Sequence, residues 1–197
     1  MKDAFQHDAA KGDELVLVDL LDRPVDTASK ERAHREGLLH RAFSVMLWRA
    51  GSDGPELLLS RRAEGKYHSA GLWANSCCSH PRAGEDLTDA ARRRVAEELG
   101  AKVQEVREVG AFAYRAPFAN DVTEYEFDHV FVAAYDGELR PDPAEASEVR
   151  WVPAPQVMQE LLGQPQAFCA WVPNVVALVL ASVGTVATQR SWPPAQD

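Results

Sequence analysis

Three histidines and two glutamates are residues that could bind a divalent cation together. Imidazole nitrogens and carboxylate oxygens suit such an ion, and the set is His34, His40, His80, Glu124 and Glu126. The two glutamates are two residues apart in a segment predicted to be a strand, so their side chains share one face of the sheet. Because the five residues lie far apart in sequence, the alternative from residue type alone is a solvated sheet edge with ordinary histidines.

A second set of residues fits a diphosphate group. Arg94 and Glu98 are four residues apart in a predicted helix and therefore lie on one helix face. Glu98 could hold Mg²⁺ on a diphosphate while Arg94, with Arg62 and Lys66 from the preceding segment, binds its oxygens. The alternative is a solvated amphipathic helix, in which such an ion pair contributes about 0.3 to 0.5 kcal/mol.

Cys78 is the third candidate for chemistry, because it lies between Asn75 and His80 in a segment without clear periodicity. A thiol has an ordinary pKa of about 8.5 and becomes a thiolate at neutral pH only when a nearby cation lowers that value. The alternative is a buried cysteine that packs as a small apolar residue. Cys77 is expected to point to the opposite side, and Cys169, which has no polar neighbours, is predicted to be structural.

Length and charge exclude several classes of protein. The 197 residues fit one generous domain, and the net charge of -9 argues against a general nucleic-acid or membrane-surface binder. Three cysteines, two of them adjacent, do not form an ordinary disulfide framework, so a reducing compartment, the cytoplasm, is expected. The segment 1–11 has no apolar core, and no signal peptide is predicted.

Hydrophobic periodicity predicts the strands and helices that must position these residues. Ala91, Val95 and Leu99 recur at helical spacing, and Gly100 follows where a helix C-terminus favours glycine. The segment 22–36 is predicted to be a loop or a short capped helix, and 136–147 a surface loop. Strands are predicted at 14–20, 41–48, 57–59, 103–114, 124–135 and 149–152, the second and third joined as a hairpin. This order predicts a mixed α/β sandwich in a single domain.

The long uncharged stretch between Glu160 and Arg190 raises the question of a membrane span. Pro173, Asn174 and Gly184 interrupt it, so its apolar centre is shorter than a bilayer requires. We therefore predict a buried helix with Pro173 in its first turn, where the missing N–H costs nothing.

Residues 84–100, GEDLTDAARRRVAEELG, resemble the Nudix box of the Nudix hydrolases. Gly84, Arg93, Val95, Glu97, Glu98 and Gly100 match the box, whereas Ala90 and Arg94 replace two of its glutamates. Nudix hydrolases use these carboxylates to hold several Mg²⁺ ions around a pyrophosphate, so their loss should impair hydrolysis. The box predicts a phosphate site that has lost much of its hydrolytic metal site.

The other motifs resemble the type 1 isopentenyl-diphosphate Δ-isomerases of the Nudix superfamily. They are the runs HRAFS at 40–44, RR at 61–62, WANSCCSHP at 73–81, YRA at 114–116 and EYE at 124–126. The resemblance implies a Nudix-like mixed sheet between helices in one domain over 1–197, with an N-terminal extension at 1–37, a core at 38–172 and a C-terminal helix at 173–188.

The resemblance also implies a role for each site residue. It assigns catalysis to Cys78, Glu126 and Tyr114, substrate binding to Lys30, Arg62, Lys66, Arg94 and Trp171, and metal binding to His34, His40, His80, Glu98, Glu124 and Glu126. Glu98 holds Mg²⁺ on the diphosphate, and a further Mn²⁺, Mg²⁺ or Zn²⁺ occupies the His/Glu site. The implied partner is an isoprenyl diphosphate, with no nucleic acid and no membrane span, and the chain is expected to be a monomer or weak homodimer.

The implied reaction moves a double bond through a tertiary carbocation, so an acid and a base must lie on opposite sides of the substrate. We expect Glu126 with Tyr114 to protonate and Cys78 to deprotonate, the reverse allotment remaining open because the reaction is reversible. Trp171 would shield the cation from water and stabilise it with its π face. The alternatives are a Nudix-type pyrophosphohydrolase and a non-catalytic diphosphate- or metal-binding module.

Overall fold

The computed structural model describes residues 14–119 and 121–187, and this part of the chain contains nine strands and four helices. Residues 1–13 of the predicted N-terminal extension and the predicted helix end at 188 lie outside it. The strands are β1 (Glu14–Val18), β2 (Pro24–Ser29), β3 (His40–Gly51), β4 (Gly54–Arg62), β5 (Trp73–Ala74), β6 (Cys77–Ser79), β7 (Arg107–Phe118), β8 (Val122–Ala134) and β9 (Ala146–Pro153). The helices are α1 (Lys30–Glu36), α2 (Leu87–Leu99), α3 (Ala154–Gly163) and α4 (Val172–Ala187).

Strand β3 is the centre of the sheet. One of its edges pairs in parallel with β8 from His40 to Trp48, and β7 extends the sheet beyond β8 in antiparallel orientation. Its other edge is shared by β1, β6 and β4, and β4 also pairs with β9. The mixed α/β single-domain architecture predicted from the sequence is confirmed.

The alternation of side chains along β3 and β8 separates two apolar layers. Odd-numbered residues such as Phe43 and Phe131 pack with α2 in one layer. Even-numbered residues such as Met46 and Val130 pack with α3 and α4 in the other. Glu124 and Glu126 have the same parity as Val130, so both carboxylates point to the α4 side of the sheet.

The segment 22–36 differs in part from its prediction. Its second half forms the short capped helix α1, in which the Ser29 side chain accepts a hydrogen bond from the Arg32 N–H and Gly37 ends the helix at φ 62°. Its first half is not a loop but strand β2. All of β2 except Ala28 is exposed, so this edge strand has no alternation of apolar residues that could reveal it. Backbone pairing with β1 holds it, and Pro24 occupies its first position, where an edge strand tolerates proline.

The C-terminal segment forms the buried helix that the sequence predicts. Helix α4 begins at Val172 with Pro173 in its first turn, and Val175, Val176 and Val179 pack into the core. Among the helices in the described part of the chain, none is long and apolar enough to cross a membrane.

Candidate active site

A cavity on the α4 side of the sheet gathers most of the residues that the sequence nominated. It is lined by Lys30, Arg62, Lys66, Cys78, His80, Arg94, Glu98, Tyr114, Glu124, Glu126 and Trp171. The two remaining nominated residues, His34 and His40, are fully buried and lie directly behind Glu124 and Glu126. All the nominated residues therefore lie in the wall of one cavity or directly behind it.

Strand pairing places three of these side chains in one row. Glu126 on β8 is in register with His40 on β3 and with Tyr114 on β7. His40 Nε2 lies 3.7 Å from Glu126 Oε1, and the Tyr114 hydroxyl donates to Glu126 Oε2 at 2.6 Å. His80 Nε2 approaches the same Oε1 at 3.0 Å from the segment after β6.

The histidine nitrogens are oriented toward a common centre by backbone carbonyls. His40 Nδ1 lies 2.9 Å from Leu38 O and His34 Nδ1 lies 2.5 Å from Lys30 O, and because a carbonyl only accepts, each Nδ1 carries the proton. The lone pair of each Nε2 therefore points the other way, toward Glu124. Ligand atoms of His34, His40, His80 and Glu124 all lie within 4.8 Å of one another.

Two orphaned polar atoms indicate that this cluster fits a cation. His40 Nε2 and Glu124 Oε2 are buried, have no hydrogen-bond partner and are 3.9 Å apart. Glu124 is only 3% exposed, which rules out the solvated sheet edge. A buried carboxylate beside imidazole nitrogens is the donor set of divalent metal sites in proteins.

The protonation states of His80, Glu124 and Glu126 also suit metal binding. Burial lowers the pKa of His80 to about 4, so its imidazole is neutral at physiological pH. Burial alone would raise the pKa of Glu124, but the neighbouring imidazoles of His34 and His68 hold it well below the usual value. The pKa of Glu126 is lowered despite its burial because the imidazoles of His40 and His80 lie beside it.

Cys78 enters the cavity from β6, on the opposite edge of β3 from Glu126. It pairs with Ser44 and is half-buried on the α4 side, whereas Cys77 packs into the layer against α2. The prediction that these two cysteines point to opposite sides is confirmed, and Cys169 is buried in the core. Burial raises the pKa of the Cys78 thiol well above its usual value, although Arg62 opposes the effect.

An aromatic wall closes one side of the cavity. Trp171 is 3% exposed, and its ring centroid lies 6.2 Å from that of Tyr114. Its Nε1 donates to Asn75 Oδ1 at 3.0 Å, and the Arg62 guanidinium lies 5.5 Å from the centre of its ring. The indole is thereby held in place at the cavity, with the Arg62 guanidinium over its ring.

A charged group of two cations and two carboxylates forms another part of the cavity. Arg94 donates to Glu98 Oε1 at 2.5 Å and to Glu145 Oε1 at 3.4 Å, and Lys66 donates to the other oxygen of Glu145. Glu98 is only 8% exposed, so α2 does not present a solvated ion pair at this position. Burial raises the pKa of Glu98, and Arg94 opposes this shift.

Three residues of the site were not identified from the sequence. Tyr67 and His68, in the segment between β4 and β5, contact Glu124, and Glu145 lies in the loop before β9. The cluster of polar and aromatic residues at 61–81 was a usable signal for the first two. Glu145 lies among prolines and other acids, and nothing in that run distinguishes it.

Comparison with known proteins identifies the family of the chain. The family description "NUDIX domain" matches residues 38–171. Two relatives, each named isopentenyl-diphosphate Delta-isomerase, come from Burkholderia multivorans and Serratia proteamaculans. The first is 48% identical and covers 80% of this chain and 87% of the relative, and the second is 45% identical with 80% and 86% covered.

Solved structures share the fold at lower identity. A crystal structure from Deinococcus radiodurans superposes with a TM-score of 0.68 at 22% identity, covering 83% of this chain and 97% of that one. A MutT protein from Methanosarcina mazei gives a TM-score of 0.56 at 19% identity, covering 71% and 91%. Taken with the relatives above, these findings establish that the chain belongs to the isopentenyl-diphosphate Delta-isomerase family of Nudix-domain proteins.

Proposed function

We propose that the chain interconverts isopentenyl diphosphate and dimethylallyl diphosphate, with Cys78 and the Glu126–Tyr114 pair as the proton-transferring groups. One observation carries this proposal. A thiol and a carboxylate that is hydrogen-bonded to a tyrosine enter one cavity from strands on opposite edges of β3. The reaction adds a proton to the terminal carbon of the double bond and removes one from C2, so it needs two such groups.

The ligand-free protein holds these groups as one proton donor and one acceptor. The raised pKa keeps Cys78 as a thiol, and the lowered pKa keeps Glu126 as a carboxylate. The pKa of Tyr114 is raised well above its usual value, first by burial and then by Glu126, so its hydroxyl keeps its proton and donates a hydrogen bond to that carboxylate. This state favours the allotment opposite to our expectation, with Cys78 as donor. Because the reaction is reversible, the starting state of one direction is the end state of the other.

We propose that His34, His40, His80, Glu124 and Glu126 hold one divalent ion, which is Mn²⁺, Mg²⁺ or Zn²⁺. When bound, the ion would supply positive charge that lowers the proton affinity of Glu126. The residues themselves are pre-ordered for this role, since backbone carbonyls fix two of the imidazoles and Tyr114 occupies the second oxygen of Glu126.

We assign the diphosphate to the charged group that Arg94, Lys66, Glu98 and Glu145 form in the cavity. Arg94 and Lys66 already contact carboxylates and can exchange them for phosphate oxygens, and Arg62 and Lys30 line the same space. Glu98 would hold the Mg²⁺ that accompanies the diphosphate. Trp171 would face the carbocation, because an indole face stabilises positive charge and keeps out water that would capture the cation.

A pyrophosphohydrolase is the less favoured function. Ala90, which replaces a box glutamate, is fully buried against the core, and Arg94 places a guanidinium where a second carboxylate would bind metal. The acid–base pair and the aromatic wall have no role in hydrolysis of a diphosphate bond. A non-catalytic binding module would not need the acid–base pair either.

Three variants test the proposed roles. With isopentenyl diphosphate and Mg²⁺, Cys78→Ala and Glu126→Gln should each lower kcat by about 10²- to 10⁴-fold, the usual contribution of a general acid or base. Cys77→Ala is the matched control, because this neighbouring thiol packs on the other face of the sheet. A Cys78→Ala enzyme within about tenfold of the wild type would assign the proton transfer to another group.

We also propose that the functional unit has its core at 38–172 and works as a monomer or weak homodimer in the cytoplasm. All three cysteines are free, and a catalytic Cys78 requires a reducing environment. Light scattering coupled to size-exclusion chromatography measures the oligomeric state, and a stable higher oligomer would contradict this part of the proposal.

A further inference from the structure

His68 contacts Glu124 of the His/Glu cluster, although it is not one of the residues proposed to bind the metal. It lies in the segment between β4 and β5, is 8% exposed, and its Nε2 is 2.6 Å from Glu124 Oε1. We propose that His68 is a positioning residue that holds this oxygen and so aims the other oxygen of Glu124 at the metal. This inference rests on the metal site described under the proposed function.

The hydrogen bonds of His68 fix which nitrogen carries the proton. Glu124 Oε1 belongs to an ionised carboxylate that only accepts, so Nε2 must be the donor. Nδ1 lies 3.1 Å from Ser69 Oγ and accepts a hydrogen bond from this hydroxyl. The ring therefore bridges a hydroxyl and a carboxylate in one tautomer, as an outer-shell group of a metal site does.

The two oxygens of Glu124 have contrasting surroundings. Oε1 is approached by His68 at 2.6 Å, His34 at 3.1 Å and the Tyr67 hydroxyl at 3.3 Å. Oε2 is buried without a hydrogen-bond partner and lies 3.9 Å from His40 Nε2, which also has none. The contact with His68, which is the shortest of the three, thus leaves Oε2 facing the cluster.

Packing prevents the His68 ring from turning away. The ring stacks on Phe118 with centroids 4.6 Å apart and an interplanar angle of 22°, and it meets Tyr67 edge-on at 4.6 Å. It also meets the edge of Trp171 at 6.0 Å. A ring held on several sides can act as a rigid support for Glu124. It also connects the His/Glu cluster to the aromatic wall.

The test measures Mn²⁺ binding by the full chain, with no substrate present. His68→Phe keeps an aromatic ring and removes the donor, and it should weaken Mn²⁺ binding about 10- to 100-fold, as loss of an outer-shell partner does. His68→Gln restores an N–H and should stay within about threefold of the wild type. His129→Phe is the matched control, since His129 is 9% exposed on β8 and pairs with Asp22 and Glu108 away from the cluster.

Each outcome decides the inference. The expected result is weak binding by His68→Phe alone, with the circular dichroism spectrum of the metal-free protein unchanged. Equal losses in His68→Phe and His129→Phe would overturn it, because they would report general packing. Loss of a nitrogen ligand from the Mn²⁺ X-ray absorption spectrum of His68→Gln would also overturn it, because His68 would then be a ligand itself.

A further variant separates this inference from the proposed metal site. His40→Ala should abolish Mn²⁺ binding, and if it binds normally, both the site and the role of His68 are wrong. If His40→Ala fails to bind and His68→Phe binds normally, only the role of His68 is wrong. If His68→Phe does not fold, Ser69→Ala tests the inference instead, because it leaves the His68 ring in place and removes its hydroxyl partner. Ser69→Ala should weaken Mn²⁺ binding about threefold. Unchanged Mn²⁺ binding would overturn the inference.

Discussion

Replacing Asn75 with leucine tests how the residues on either side of the cavity are held together. Asn75 is 1% exposed, and its Nδ2 donates to Val45 O at 3.2 Å and to Cys77 O at 2.7 Å. Its Oδ1 accepts from Trp171 Nε1 at 3.0 Å. One side chain thus links β3, the residue before the proposed catalytic thiol, and the aromatic wall.

The expected loss of stability follows from these three hydrogen bonds. Leucine has the same number and branching of side-chain heavy atoms, so the change leaves two carbonyls and one indole N–H without this partner and creates no cavity. At about 1 kcal/mol for each bond, the free energy of unfolding should fall by about 3 kcal/mol or more, since buried polar groups left unsatisfied cost extra. This is a large part of the total of about 5 to 15 kcal/mol that a domain usually has.

Urea denaturation at constant pH measures this change, and Asn174→Leu is the matched control. Asn174 is exposed in the first turn of α4, so its substitution should alter stability by less than about 0.5 kcal/mol. Below the unfolding transition, Asn75→Leu should lower kcat more than it raises KM, because Trp171 and the backbone beside Cys78 lose their anchor. A loss below about 1 kcal/mol would show that Asn75 does not anchor the site.

Two further predictions concern pH and the carbocation. The pKa of His80 is about 4 in the folded protein, below the unfolded value of about 6.5, so the unfolded state binds more protons between these values. The metal-free protein should therefore lose up to about 3 kcal/mol of stability from His80 as the pH falls from 7 to 4, and an equally steep loss in His80→Gln would contradict this. Trp171→Leu removes the π face but keeps an apolar side chain, and kcat measured with saturating substrate should fall about 5- to 30-fold with little change in KM, corresponding to about 1 to 2 kcal/mol. Wild-type kcat in Trp171→Leu would show that the indole does not stabilise the cation.

Residue types and short-range periods predicted much of this molecule. The alternation in β8 correctly placed Glu124 and Glu126 on one face, and the helical period with Gly100 correctly located α2, whose final glycine has φ 64°. Motifs nominated the residues that meet in the cavity. These features depend on neighbours within a few residues, which a sequence displays directly.

Long-range pairing explains what the sequence did not reveal. The row of His40, Glu126 and Tyr114 depends on the parallel register of β3 with β8, which no local period encodes. Strand β2 is held by backbone pairing and carries no apolar pattern. His68 and Glu145 can be recognised as site residues only when the fold brings them to Glu124 and Arg94.

The most direct test of isomerase activity incubates isopentenyl diphosphate and Mg²⁺ with the wild-type chain in one tube and follows the reaction by proton and phosphorus NMR. We predict that dimethylallyl diphosphate appears until equilibrium is reached, that deuterium enters the new methyl group when the solvent is D₂O, and that the diphosphate stays intact. Release of inorganic phosphate or isopentenyl monophosphate without the isomer would contradict this prediction.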